Sequence, residues 1–125
     1  MAPEKKKVDE KELFDFENFW EYISELLVDE QEIDTVRGTS FRCRYDSEYD
    51  AFVVKPKKTN MPRDVTKGDF SRVWERFMEV REEEEYKNDL FRPALYQRIT
   101  RNASYILPLL RKYHEEVVVP GLSSR

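Results

Sequence analysis

The stretch FRCRYDSEYDAFVVKPKK, residues 41–58, carries the side chains best suited to holding something outside the protein. Arg42 and Arg44 alternate with Phe41, Cys43 and Tyr45. A strand with that alternation puts both guanidinium groups on one face and the apolar groups on the other. Guanidinium presents a planar fork of donors that matches phosphate or carboxylate, and the ammonium groups of Lys55, Lys57 and Lys58 add point charges beside it. Arg37 stands at the entrance to the same stretch. A second basic set, Arg98, Arg101, Arg111 and Lys112, follows on a later helix, where Tyr96 or Tyr105 offers a ring for a base to stack on. The residues expected to bind are therefore Arg37, Arg42, Arg44, Lys55, Lys57, Lys58, Arg98 and Arg101.

Reaction chemistry finds fewer candidates. His114 is the single histidine, too few for a triad or a histidine-rich metal site. Cys43 is the single cysteine and reads as a small buried strand residue rather than a reactive thiol. Gly38, Gly68 and Gly121 lie too far apart to form a phosphate-cradling loop. Glu48, Asp50 and Lys55 are the residue types of a metal-dependent nuclease core. Lys55, however, follows Val53 and Val54 instead of an acid two positions earlier. Asp15, Glu17, Glu21 and Glu25 read as the solvated side of a helix rather than a cation site. The expectation is a non-enzymatic protein with no catalytic residue, no metal and no cofactor.

Charge is strongly uneven along the chain, although the net is only −4. Residues 1–36 hold 4 basic and 12 acidic side chains, whereas residues 37–73 hold 9 basic and 5 acidic. Residues 74–89 return to acid, and residues 90–114 have five basic side chains and no acid at all. An acidic first helix and a basic strand region make the molecule electrostatically two-sided, which favours association with a complementary surface, a second copy included.

Four kinds of segment must position these groups. Leu13, Phe16, Trp20, Ile23 and Leu27 recur at helical spacing and predict one helix over residues 11–28, with Asp9 and Glu12 at its start. Gly38 marks a turn that needs positive φ, a strand runs to Tyr45, and DSEYD is a four- or five-residue loop into a partner strand over residues 51–55. Pro56 and Pro62 exclude a central strand between them, leaving room for a short third strand over residues 63–66. Phe70, Val73, Trp74, Phe77 and Met78 predict a second helix over residues 67–86, with fraying expected at Glu82–Glu85. Leu95, Ile99, Ala103, Ile106 and Leu110 predict a third helix kinked at Pro108, in preference to two shorter helices meeting near Asn102.

That order, helix, hairpin, optional third strand, helix, helix, implies an α+β fold in which a small antiparallel sheet packs against about three helices. One globular domain over residues 10–119 is expected, with polar tails at 1–9 and 120–125. The lysines of MAPEKKKVDEKE have no apolar run behind them, and no stretch nears the roughly 20 apolar residues that span a bilayer. A cytoplasmic protein with no membrane contact is the expectation. Function is expected to be binding: a protein partner or self-association first, nucleic-acid phosphates on the basic hairpin second, an unrecognised small enzyme last. The overall pI near 5.2 weighs against the nucleic-acid reading, and 17 aromatic residues in 125 favour exposed interface anchors.

Overall fold

A computed structural model describes residues 10–35 and 38–123. The chain forms α1 (Glu10–Leu13), α2 (Phe16–Leu26), β1 (Gln31–Asp34), β2 (Ser40–Asp46), β3 (Ala51–Pro56), β4 (Arg63–Thr66), α3 (Lys67–Arg81), α4 (Ala103–Tyr113) and α5 (Val119–Ser123). Single 3-10 turns at Glu84–Tyr86 and Pro93–Leu95 punctuate the connection before α4, and a π-helical turn at His114–Val118 joins α4 to α5. The four strands pair in sequence order, each antiparallel to the next. This is the α+β architecture expected, with two strands more than the minimal hairpin: β4 at residues 63–66, and β1, which pairs Ile33 with Phe41.

Alternation decides which side of the sheet is wet. Ile33, Phe41, Cys43, Phe52, Val54 and Val65 point inward and are buried. Tyr45, half-buried on the same face, packs against this core. Helices α2, α3 and α4 cover this face, giving a core rich in rings. Phe19 stacks on Trp74 at 5.2 Å, and Trp20 stands edge-on to Phe52 and Phe70 at 5.1 and 5.2 Å. Offset and edge-to-face geometries are the ones the ring quadrupole favours, adding about 0.5–1.5 kcal/mol per pair beyond area burial. The C-terminal end of α2 is tied to the sheet by the Tyr45 N–H, which donates to Leu27 O at 2.8 Å.

Three boundaries differ from the sequence expectation. The first helix is broken, because Asp15 acts as an N-cap: its carboxylate accepts the Glu17 N–H at 2.8 Å and restarts the helix as α2. The second ends at Arg81 and the chain resumes only as a 3-10 turn at Glu84, within the acidic run where acids oppose the helix dipole. The long kinked third helix is instead an irregular connection followed by α4, which begins after Asn102. Pro108 lies inside α4. At the other end, the helical course continues to Ser123, and Val118 is fully buried. Gly38 has φ +86°, as its place in a tight turn requires.

Candidate functional site

On the outer face of the sheet, register sets Glu32, Arg42 and Lys55 in one row. Arg44, Val53 and Asp64 form the next row. Arg42 Nη1 lies 3.5 Å from Glu30 Oε2 and Lys55 Nζ lies 3.2 Å from Glu30 Oε1, so one carboxylate is shared by two of the cations assigned to binding. With Asp34 and Asp46 also on this face, it is a mixed surface and not a basic one. The expectation of a basic hairpin face is corrected on that point: strand β1 and the residue before it bring acids that local alternation in β2 does not reveal. Arg44 has no carboxylate within ion-pair distance among the described residues. Arg37 lies outside the described residues.

The nuclease-like trio does not assemble. Asp50, at the β2–β3 turn, accepts hydrogen bonds from the Tyr45 hydroxyl and from Trp20 Nε1 at 3.1 Å, while Lys55 lies at the far end of β3 with Glu30. The Tyr45 hydroxyl holds the Asp50 carboxyl below its ordinary range. Cys43 is fully buried, and loss of hydration pushes its thiol up to about 12. His114 is half-buried with its ring edge-on to Phe77 and Phe91, and burial lowers its pKa. Among the described residues, no group of three or more His, Cys, Asp or Glu is placed to hold a metal ion.

A different cluster emerges where α4 begins. Most cations on the helices are matched to acids: Lys67 to Glu17, Arg72 to Asp69, Arg81 to Glu10, Arg111 to Glu115 and Lys112 to Glu116. Lys57, Lys58, Arg63, Arg98 and Arg101 have no such partner among the described residues. Arg63, at the start of β4, and Arg101, on the connection before α4, line one open cleft of about 220 Å³ together with Asn102. The Arg63 guanidinium carbon sits 5.8 Å from the centre of the Tyr105 ring, and Tyr105 stands edge-on to Phe41. That stack pins a cation at the same end of the sheet as the Lys57–Lys58 loop.

Polar bonding beneath the cleft fixes its floor. Asp69 is buried at the first turn of α3; Arg72 donates to its Oδ1, and Asn102 Nδ2 donates to its Oδ2 at 2.9 Å. Asn102 therefore spends its amide on α3 and makes no side-chain cap on its own helix, leaving its buried Oδ1 without a hydrogen-bond partner among the described residues. An unpaired buried acceptor costs about 1–3 kcal/mol and marks a place where stability yields to another requirement. Arg101 also lines a second, half-open recess of about 210 Å³. Thr35, Gln97, Thr100 and Ser104 contribute its polar wall and Leu107 its apolar floor.

Of the residues singled out from sequence, then, Arg101 is in the cleft, with Arg98 exposed three residues earlier and Lys57 and Lys58 exposed on the β3–β4 loop. Tyr96 is removed as a stacking ring, because it is fully buried with its hydroxyl donating to Leu90 O. Arg63, Gln97 and Ser104 were not singled out, and Asn102 was read only as a residue where two helices could meet. The available signal was the acid-free block over residues 90–114, which contains three of them. Comparison of the chain with protein-family models, with curated proteins and with solved structures yields no match.

Proposed function

We propose that this chain is a non-enzymatic binding domain that contacts nucleic-acid phosphates at the end of the sheet where α4 begins. The observation that supports it is the convergence of Arg63 and Arg101, from separate elements, on one cleft, with no carboxylate among the described residues paired to either. Acids outnumber bases in this protein, and ion pairs are plentiful elsewhere on its surface, so leaving these guanidinium groups unneutralised costs neighbouring acids that other cations have. Free guanidinium forks are what phosphate contact requires. The test is oligonucleotide binding at low salt by the double variant Arg63→Gln/Arg101→Gln. Affinity falls by at least about tenfold, as expected for lost charge-assisted contacts. Folding stability changes by less than about 1 kcal/mol, because both side chains are exposed. The control Arg42→Gln/Arg44→Gln binds nearly as wild type. Equal binding by the first variant, or loss confined to the second, removes this site.

A protein partner is the second reading. It is favoured by Tyr49 and Met61, which are 75% and 69% exposed. They sit on loops at opposite ends of the sheet and form no single apolar patch, whereas a standard interface buries about 1,200–2,000 Å². The nucleic-acid reading accordingly ranks first. No helix among the described residues is long and apolar enough to cross a membrane.

A further inference from the structure

We infer that the half-open recess lined by Arg101, Gln97 and Ser104 takes a single unpaired nucleobase, while the cleft that shares the same arginine with Arg63 takes the adjoining phosphate. This inference rests on the nucleic-acid reading above and specifies how the strand is recognised. The two cavities share Arg101, so a ligand with a charged group next to a neutral ring would fill both across one side chain. This recess, about 210 Å³, falls below the roughly 300–1,000 Å³ of drug-sized sites and suits one ring system with its charged group outside.

Its lining fits a base edge. The Thr35 hydroxyl is paired with that of Thr39, and the Thr100 hydroxyl oxygen accepts the Asn102 N–H. Gln97 and Ser104 are exposed, and their side chains bond to no other described residue. The Ser104 backbone N–H is also unused: Ala103 N–H bonds Thr100 O, while Tyr105 and Ile106 N–H both bond Asn102 O. The Gln97 amide thus offers a donor and an acceptor together, the pair that reads a base edge bidentately, with Ser104 as a second reader. Buried Leu107 supplies an apolar surface for the ring. No carboxylate among the described residues lines the recess, and Arg101 does, so a cationic group is disfavoured.

Insertion, rather than stacking on an open platform, follows from the aromatic arrangement. Tyr105 is the ring nearest the cleft, and Arg63 lies over it while its edge contact is with Phe41. A base that enters a recess at a helix start must first leave its own stack, as in a single strand or a flipped nucleotide.

The test compares a single-stranded oligonucleotide of about 12 nucleotides with an abasic strand carrying the same number of phosphates, by fluorescence anisotropy. The base-bearing strand binds about tenfold tighter to the wild-type protein. Ser104→Trp, which fills the recess from an exposed position, brings the two affinities together by weakening the base-bearing strand; an unchanged circular-dichroism spectrum and melting temperature certify that the variant is folded. Gln97→Ala narrows the ratio and alters which base is preferred. Equal affinities for the two strands in the wild type, or a ratio untouched by both substitutions, overturn the base pocket. In either case the abasic strand still binds, and the phosphate reading stands. Binding of neither strand removes both.

Discussion

Asp50 shows how much one residue can hold. Its φ of +49° is a conformation that Asp and Asn tolerate better than most residues, and from there its carboxylate reaches back to Tyr45 and Trp20. The hydroxyl of Tyr45 is the largest cause of its lowered pKa, with the indole of Trp20 and the charge of Lys67 acting in the same direction. A carboxylate with a depressed folded-state pKa contributes stability that is present above its unfolded value, near 3.8, and is lost as pH falls through the folded one. Asp50→Asn keeps the backbone conformation and removes the charge. It is expected to lower stability by about 1 kcal/mol at neutral pH, the group being exposed. The deficit should vanish in denaturation curves measured below the carboxylate range; a deficit independent of pH would mean the charge is idle. The positive-φ aspartate was not legible in DSEYD beyond the absence of glycine, and one of its two partners, Trp20, stands thirty residues away.

At the scale of elements, capping and close approach set boundaries that periodicity could not. Leu13 and Phe16 share a stripe with Trp20, yet the helix breaks between them, since Asp15 competes for its own backbone. Asn102, the residue that suggested two helices meeting, does start α4, but through its carbonyl and not its side chain. Helix α5 is held at the N-terminal side of the molecule by contact with α1. A Cβ on Gly121 would lie 2.6 Å from Leu13 Cδ2, and Leu13 is buried and unable to retreat freely. Gly121→Ala should therefore cost about 1–3 kcal/mol through overpacking and should raise amide exchange in α5 before the sheet is affected. Unchanged exchange in α5 would show that Leu13 has another rotamer available.

Over the whole molecule, charge placement matters more than net charge. A protein of −4 leaves many approaches to a polyanion repulsive, and the proposed contact rests on the end of the sheet carrying Lys57, Lys58, Arg63 and Arg101. Binding through so few cations implies few released counterions. The slope of log Kobs against log salt should be near −3, at roughly 0.7–0.9 per phosphate contacted, and Arg63→Gln should reduce it by about one. A slope near zero would point to contacts of another kind, and a protein partner would then be favoured.

The sequence by itself determined the fold class, the alternation that turns Phe41, Cys43 and Tyr45 toward the core, the turn at Gly38, and the acid-free segment over residues 90–114. These follow from local period, backbone sterics and composition, which need no knowledge of neighbours. Only the tertiary structure decided which cations are free. Glu30 reaches Arg42 and Lys55 because β1 folds back on β2, and Arg63 meets Arg101 because β4 and the start of α4 close on the same corner. Electrostatic partnership depends on distance in space, and a chain read residue by residue contains only distance along itself.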